Sequence, residues 1–318
     1  MKMSAIAKRL LFGIRARETS FARRGFQTCD PEAQRRLERV GEFFLAGYHA
    51  ALETADNGEL ESRLRALEPE YQGFAFEGAA MSLTLLDHCM PWKQARRPGF
   101  AAGPGEPHTY MMHVGAGWAF ARLPWIRPRM ERALAGMDAL LRWLALDGYG
   151  FHEGYFHWRA SISEQRVPSG LSAYGARAFD QGLGRSLWFV RGADPDRISE
   201  TITSFPAPRR ADLWSGVGLA CAYAGGASNA AIARLAEAGR RYRAELAQGA
   251  AFAAKARLRA GIAADHTEAA CRILCDMPAR EAAAITDDAL KNPPVDGEQP
   301  AFEIWRRRIQ REFAGVRR

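Results

Sequence analysis

Residues able to do acid–base or metal chemistry are unevenly spread along this 318-residue chain. Five of its seven histidines, His88, His108, His113, His152 and His157, fall within residues 88–157. The string His152-Glu153-Gly154-Tyr155-Phe156-His157 invites comparison with a zincin helix, which needs two histidines at i and i+4 on one face. Here the spacing is i+5, about 140° apart on a continuous helix, so the string predicts no metal site. His108 and His113 share that spacing. Carboxylates come next. Glu77 and Glu153 each precede a glycine, and Asp180 lies two before Gly182. If those glycines mark equivalent points on successive helices, their carboxylates would project at related heights, and desolvation there would raise a pKa toward general-acid use. Glu153 and Asp180 are the catalytic candidates. His113, Trp118, Tyr155, His157 and Arg185 are the candidate substrate-binding residues, with the two aromatic side chains as an apolar wall. The competing expectation is an Asp180–Arg185 ion pair and histidines satisfied in the core. Strings for nucleotide-binding loops, P-loops and nucleophile elbows are absent, and no cofactor is expected.

The elements that would position these groups read as helices. Residues 31–54 carry Leu37, Val40, Phe44 and Ala51 at helical spacing, behind a cap at Asp30 and a proline at the tolerated first position. Residues 91–107 and 292–300 are too rich in Pro and Gly for helix interiors. Short glycine strings begin at Gly78, Gly115, Gly154, Gly182, Gly216 and Gly249, at intervals of 37, 39, 28, 34 and 33 residues, Gly154 fitting worst. A period near 34 is that of a helix–turn–helix unit of the tetratricopeptide class. A glycine inside a helix costs about 1 kcal/mol relative to alanine, so its recurrence points to close helix approach. The expected fold is all-α: stacked helical hairpins with terminal capping helices. Its three parts are N-terminal basic and amphipathic helices (1–54), an alanine- and glycine-rich repeat body (55–291), and a linker with a C-terminal cap (292–318). In that cap Phe302, Trp305, Ile309 and Phe313 form one stripe, with Arg306, Arg307, Arg308 and Arg311 mostly outside it.

The formal charge of +8 lies at the ends: residues 1–50 hold +5, residues 301–318 hold +4, and the body between is near neutral. This pattern, with no nucleic-acid module, argues against nucleic acid as partner. Five scattered cysteines suit a reducing cytosol better than a disulfide scaffold; Cys271 and Cys275 read as small core residues. No apolar run reaches the roughly 18 residues of a membrane span, and the N-terminus lacks a secretory h-region. Met3, Ile6, Leu10 and Ile14 make an amphipathic stripe there. Docking of that stripe on the protein's own body is the reading adopted, with an anionic membrane surface as the alternative. The expected location is cytoplasmic, with the N-terminus as the one route to a peripheral position at the inner membrane face.

The strings FARRGF (21–26), FLAGYHAALE (44–53), GFAFEGAAM (73–81), YMMHVGAGWAFARLPW (110–125), DGYGFHEGYFH (147–157), FDQGLGRSLWF (179–189) and RRADLWSGVGLACAYAGG (209–226) together resemble a bacterial domain-of-unknown-function family, the UnbL-like accessory proteins of enediyne polyketide biosynthesis. The resemblance runs from about residue 10 to about 280. It implies a setting beside an iterative polyketide synthase, near UnbV-like and UnbU-like pathway proteins, and handling of a conjugated polyene or polyketide intermediate. It carries no catalytic residues. Three functional expectations stay open: a non-catalytic protein binding a polyene or a pathway partner on its repeat surface, an enzyme that rearranges or cyclises a polyene by carboxylic-acid protonation, and a peripheral membrane adaptor.

Overall fold

A computed structural model describes residues 4–90 and 95–315. Every regular element among them is helical, and no strand is present among the described residues. Nine helices carry the architecture: α1 (Ala5–Phe12), α2 (Pro31–Glu53), α3 (Gln72–Cys89), α4 (Thr109–Ala121), α5 (Trp143–Phe156), α6 (Ala173–Val190), α7 (Ala207–Ala224), α8 (Arg243–Arg259) and α9 (Ala301–Gly315). Shorter helices and turns connect them on the outside. The expected start of α2 is observed, with the Asp30 carboxylate accepting from the Glu32 and Ala33 amides and Pro31 in the first turn. Helix α6 begins the same way, Ser172 capping the Gly175 amide.

Helices α2 to α8 form one row in chain order, each packed along the next. They run parallel, as aromatic pairs near both ends of α5 and α6 show: Trp143 meets Tyr174 near the start, and Tyr155 meets Phe189 near the finish. Parallel neighbours require an outward excursion between them, and this is what the short connecting helices provide. The row curves until its ends meet. Helix α7 touches α2, Arg36 donates to the Ala224 carbonyl at 2.6 Å, and Arg257 donates to the Glu70 carbonyl at 3.0 Å. The stacked helical units expected from the repeat are therefore present, closed around a common interior. Helix α2, grouped by sequence with an N-terminal segment, is the first member of the row.

Glycine sets the spacing of the row. Helices α4 to α7 each carry Gly-x-Gly: 115/117, 148/150, 182/184 and 216/218. The first glycine of each pair faces a backbone carbonyl of the preceding helix and the second faces one of the following helix. Gly182 looks back at Asp147 and Gly184 forward at Leu213; Gly216 looks back at Gln181 and Gly218 forward at Leu246. A Cβ at any of them would lie closer than 3.0 Å to that carbonyl. The end helices need only one such face, and Gly47 of α2 looks forward while Gly249 of α8 looks back. Bare Cα groups against carbonyls allow weak Cα–H···O contacts and dense packing, which offset the propensity cost of glycine. The third repeat position is Gly148, not Gly154, which instead faces the Ser186 side chain. With Gly148 in place the intervals become 37, 33, 34, 34 and 33 residues.

Two other sequence expectations change. The 91–107 stretch contains a short helix, Arg96–Ala101, begun after Asp87 accepts from the Arg96 and Arg97 amides at 3.0 Å. The N-terminal stripe does not dock as a unit. Ile14 is buried, but Ile6, Leu10 and Leu11 are 74%, 82% and 69% exposed, Lys8 is turned inward, and Met3 lies outside the described residues. The reason is local: Arg9 pairs with Glu53, and Tyr48 donates to the Phe12 carbonyl at 2.6 Å, which fixes the polar side of α1 against α2.

The C-terminal cap holds. Phe302, Trp305, Ile309 and Phe313 are all buried, with Trp305 against Phe252 at 4.7 Å. Arg306 departs from the expected outward arginines and is 1% exposed. Cys271 and Cys275 are buried free thiols, as their alanine-rich surroundings suggested.

Candidate functional site

Closure of the row leaves an apolar cavity of about 50 Å³ on its inner side. Its wall is aromatic: Trp118 contacts Phe44 at 4.6 Å and Phe151 at 5.1 Å, while Phe74 meets Tyr223 at 5.0 Å on the far side. Ile14, Glu18 and Thr19 close one end, and the Tyr155 hydroxyl reaches the Thr19 carbonyl at 3.4 Å. Arg185, Leu219 and Tyr223 also line a second apolar compartment of about 40 Å³, bounded beyond them by Phe252, Phe302 and Trp305.

Only two groups in the first wall are charged and deeply buried: Glu77 and Arg185, 4.0 Å apart. Arg185 is also paired with Asp147, and its guanidinium lies 5.0 Å from the centre of the Phe151 ring. Burial pushes the Glu77 carboxyl up to about 7, with Arg185 pulling it down and the Asp147 charge pushing it further up. Burial opposes the charge on Arg185, but Asp147 and Glu77 together raise its pKa. One guanidinium thus faces two carboxyls, and near neutral pH Glu77 is poised to hold or release a proton beside an apolar space. The Trp118 indole N–H makes no hydrogen bond of good geometry there.

A buried polar ladder leads away from this layer. Gln181 donates to Asp147 at 2.9 Å, Ser215 donates to Gln248 at 2.9 Å, and Arg306 reaches Gln248 at 3.3 Å. Glu77, Asp147, Gln181, Ser215 and Gln248 each immediately precede a backward-facing repeat glycine. That phase places them on the inner side of the row. It was legible once Gly148 replaced Gly154, and it is the signal by which Asp147 could have been found.

Of the residues selected from sequence, Trp118, Tyr155 and Arg185 meet at the cavity. His113 does not join them; it is buried within α4, its Nδ1 2.8 Å from the Thr109 carbonyl oxygen, and burial lowers its pKa. Asp180 stands apart as well. Its carboxylate accepts from Arg209 at 2.8 and 2.5 Å, so neither the Asp180–Arg185 pair nor a shared site with Glu153 forms. Burial raises the Asp180 pKa even against that guanidinium.

Glu153 and His157 meet in a different place, beneath a polar cleft of about 430 Å³ that His152 and His157 line and that shares Ile14, Glu18 and Phe156 with the cavity. Glu153 Oε1 lies 3.0 Å from His152 Nδ1 and Oε2 lies 3.1 Å from His157 Nδ1. Burial alone would raise Glu153, but the bonds from both histidines override it and bring the carboxyl to about 2. His157 is raised mainly by its bond to Glu153, whereas burial lowers the fully enclosed His152. The helical-wheel argument that separated His152 from His157 fails because α5 stops at Phe156. His157 has left helical geometry (φ −125°, ψ 36°), and the chain turns it back toward Glu153.

Among the described residues no helix is long and apolar enough to cross a membrane. No curated protein and no solved structure matches the chain. Its sequence does match, over residues 3–313, the family described as Protein of unknown function (DUF1702). That span takes in the whole glycine row, both compartments and the polar cleft, and the chain belongs to the DUF1702 family.

Proposed function

We propose that this protein binds an apolar, conjugated chain in its central cavity, as an accessory protein of bacterial natural-product biosynthesis of the UnbL-like, enediyne or related polyene type. The observation that carries the reading is the aromatic lining of the inner cavity, because an apolar wall with only a few placed polar groups suits a hydrocarbon. The binding surface in this reading is the interior of the closed row rather than an open concave face. A polyene fatty acid whose fluorescence rises in apolar surroundings is a direct probe. Wild-type protein should bind it near one equivalent, and Ala220→Phe, which fills the cavity from α7, should weaken binding at least about tenfold with an unchanged helical spectrum. Equal binding by the filled variant would defeat the reading.

A second reading is favoured by Glu77. A carboxyl with a pKa near 7 at an apolar wall has the properties of a general acid for protonating a polyene. On this reading the catalytic candidate is Glu77, not Glu153 or Asp180. Glu77→Gln should retain probe binding while losing product formation in a complemented deletion strain. If product persists, the carboxyl has no chemical role. The peripheral-membrane reading draws its support from the exposed Ile6, Leu10 and Leu11. UnbV-like and UnbU-like pathway proteins stand as proposed partners from the sequence resemblance alone.

A further inference from the structure

We propose that His152, Glu153 and His157 form a binding site for a divalent transition-metal ion of the zinc, cobalt or nickel kind. It stands independently of what fills the apolar cavity. One ligand atom from each residue lies within 4.8 Å of the other two, and this is the one such group among the described residues. The two carboxylate–imidazole separations, 3.0 and 3.1 Å, are close to the spacing that metal ligation demands. Bonds of about 2.0–2.2 Å around a tetrahedral ion put neighbouring ligands roughly 3.3–3.5 Å apart. Insertion of an ion therefore opens these two separations by only a few tenths of an ångström, and the two imidazoles, within 4.8 Å of each other, close onto the same ion.

The donor types decide the class of ion. Two imidazoles and one carboxylate suit zinc, cobalt, nickel or iron, whereas magnesium and calcium select oxygen ligands and fuller coordination. Three protein ligands leave at least one position open, as in catalytic rather than structural zinc sites. That position faces the polar cleft, where Arg15, Arg122 and Arg127 also project. These guanidiniums oppose a bare cation, and they favour an ion completed by an anionic group such as carboxylate or phosphate. Coordination comes from two sides of the cleft floor: His152 and Glu153 are buried at the end of α5, while the His157 side chain is 56% exposed. The exposed member makes the site open to exchange, and it also makes the test clean.

Full-length protein stripped with chelator should be titrated with Co²⁺ by calorimetry and visible absorption, then with Zn²⁺ in competition. One equivalent should bind, giving the intense visible bands of a low-coordinate cobalt site that Zn²⁺ abolishes. His157→Ala should weaken binding at least about 100-fold, since even the partners that merely orient a ligand cost 10–100-fold when lost. His157→Cys should restore binding and add a thiolate-to-cobalt charge-transfer band, which a merely structural histidine would not do. The proposal is overturned by absence of stoichiometric binding in the wild type, by wild-type affinity in His157→Ala, or by a cysteine variant that lacks the sulfur band. Phosphate binding to the stripped protein, with no metal binding, would also overturn it and assign the cleft to its arginines alone.

Discussion

Two buried charge clusters sit at opposite ends of the same polar ladder, and they are built differently. Under the C-terminal cap, Arg177 binds Asp212 at 2.9 Å and Glu303 at 2.7 Å, while Arg306 binds Asp212 at 2.8 Å. With Arg307 on Glu303 at 2.7 Å, three guanidiniums face two carboxylates, so both acids are compensated. At the cavity, Arg185 alone serves Asp147 and Glu77, one cation against two acids. Low-dielectric surroundings penalise a carboxyl that lacks its own cation, and burial accordingly raises Glu77 to about 7. The comparison separates structure from chemistry. The balanced cluster fastens α9 to the row, whereas the unbalanced one leaves a titratable carboxyl beside the apolar cavity.

The comparison can be broken most forcefully at the balanced end. Arg306→Leu leaves Asp212 and Glu303 with only the partly exposed Arg177 and Arg307 and should cost about 3 kcal/mol, the low end for a broken buried pair, read as a lower urea midpoint. A loss under about 1 kcal/mol would mean that the cap cluster is not an obligatory ion network. Gly182 lies between the two clusters, against the Asp147 carbonyl. Gly182→Ala should cost about 1–3 kcal/mol by forcing α5 and α6 apart, despite the higher helix propensity of alanine. A stabilised variant would mean that close approach does not set the row.

The unbalanced end predicts a pH dependence of definite sign. The folded pKa of Glu77 is raised from 4.5 to about 7. Below 4.5 both states hold the proton and the group exerts no penalty. Between those values the unfolded chain releases its proton while the folded chain keeps it, so wild-type stability falls by about 1.4 kcal/mol per pH unit from this group. Glu77→Gln removes that slope. Its stability relative to wild type should therefore rise between pH 5 and pH 7, measured by urea unfolding at both. A pH-independent difference would show Glu77 ionised in the fold and would erase the contrast between the clusters. The smallest expected effect lies outside both. Leu10→Ser with Leu11→Ser changes exposed residues and should move stability by no more than about 0.5 kcal/mol. Flotation with anionic vesicles then reads α1 separately, and the membrane reading requires that this double variant lose binding.

Composition and pattern alone determined the all-helical class, the period near 34, the Asp30 cap and the aromatic stripe of α9. All but the period are local properties, written in residues that touch one another along a single helix, and the period is read directly from recurring glycines. Trp118, Tyr155 and Arg185 were also legible as a group, since they sit in or beside glycine strings. Three matters were decided only in three dimensions. Exposure of Ile6 and Leu10 follows from which face of α1 its ion pair and the Tyr48 hydroxyl hold down, a choice that amphipathic spacing leaves undetermined. The meeting of His152 with His157 depends on where α5 ends, and helix ends are set by tertiary packing as much as by capping residues. Partnering of Arg185 with Asp147, and of Asp180 with Arg209, depends on curvature and register of the whole row. A one-residue change of phase separates an inward carboxylate such as Asp147 from a neighbour pointing elsewhere. That phase is fixed by carbonyl-to-glycine contacts between neighbouring helices, through residues far apart in sequence.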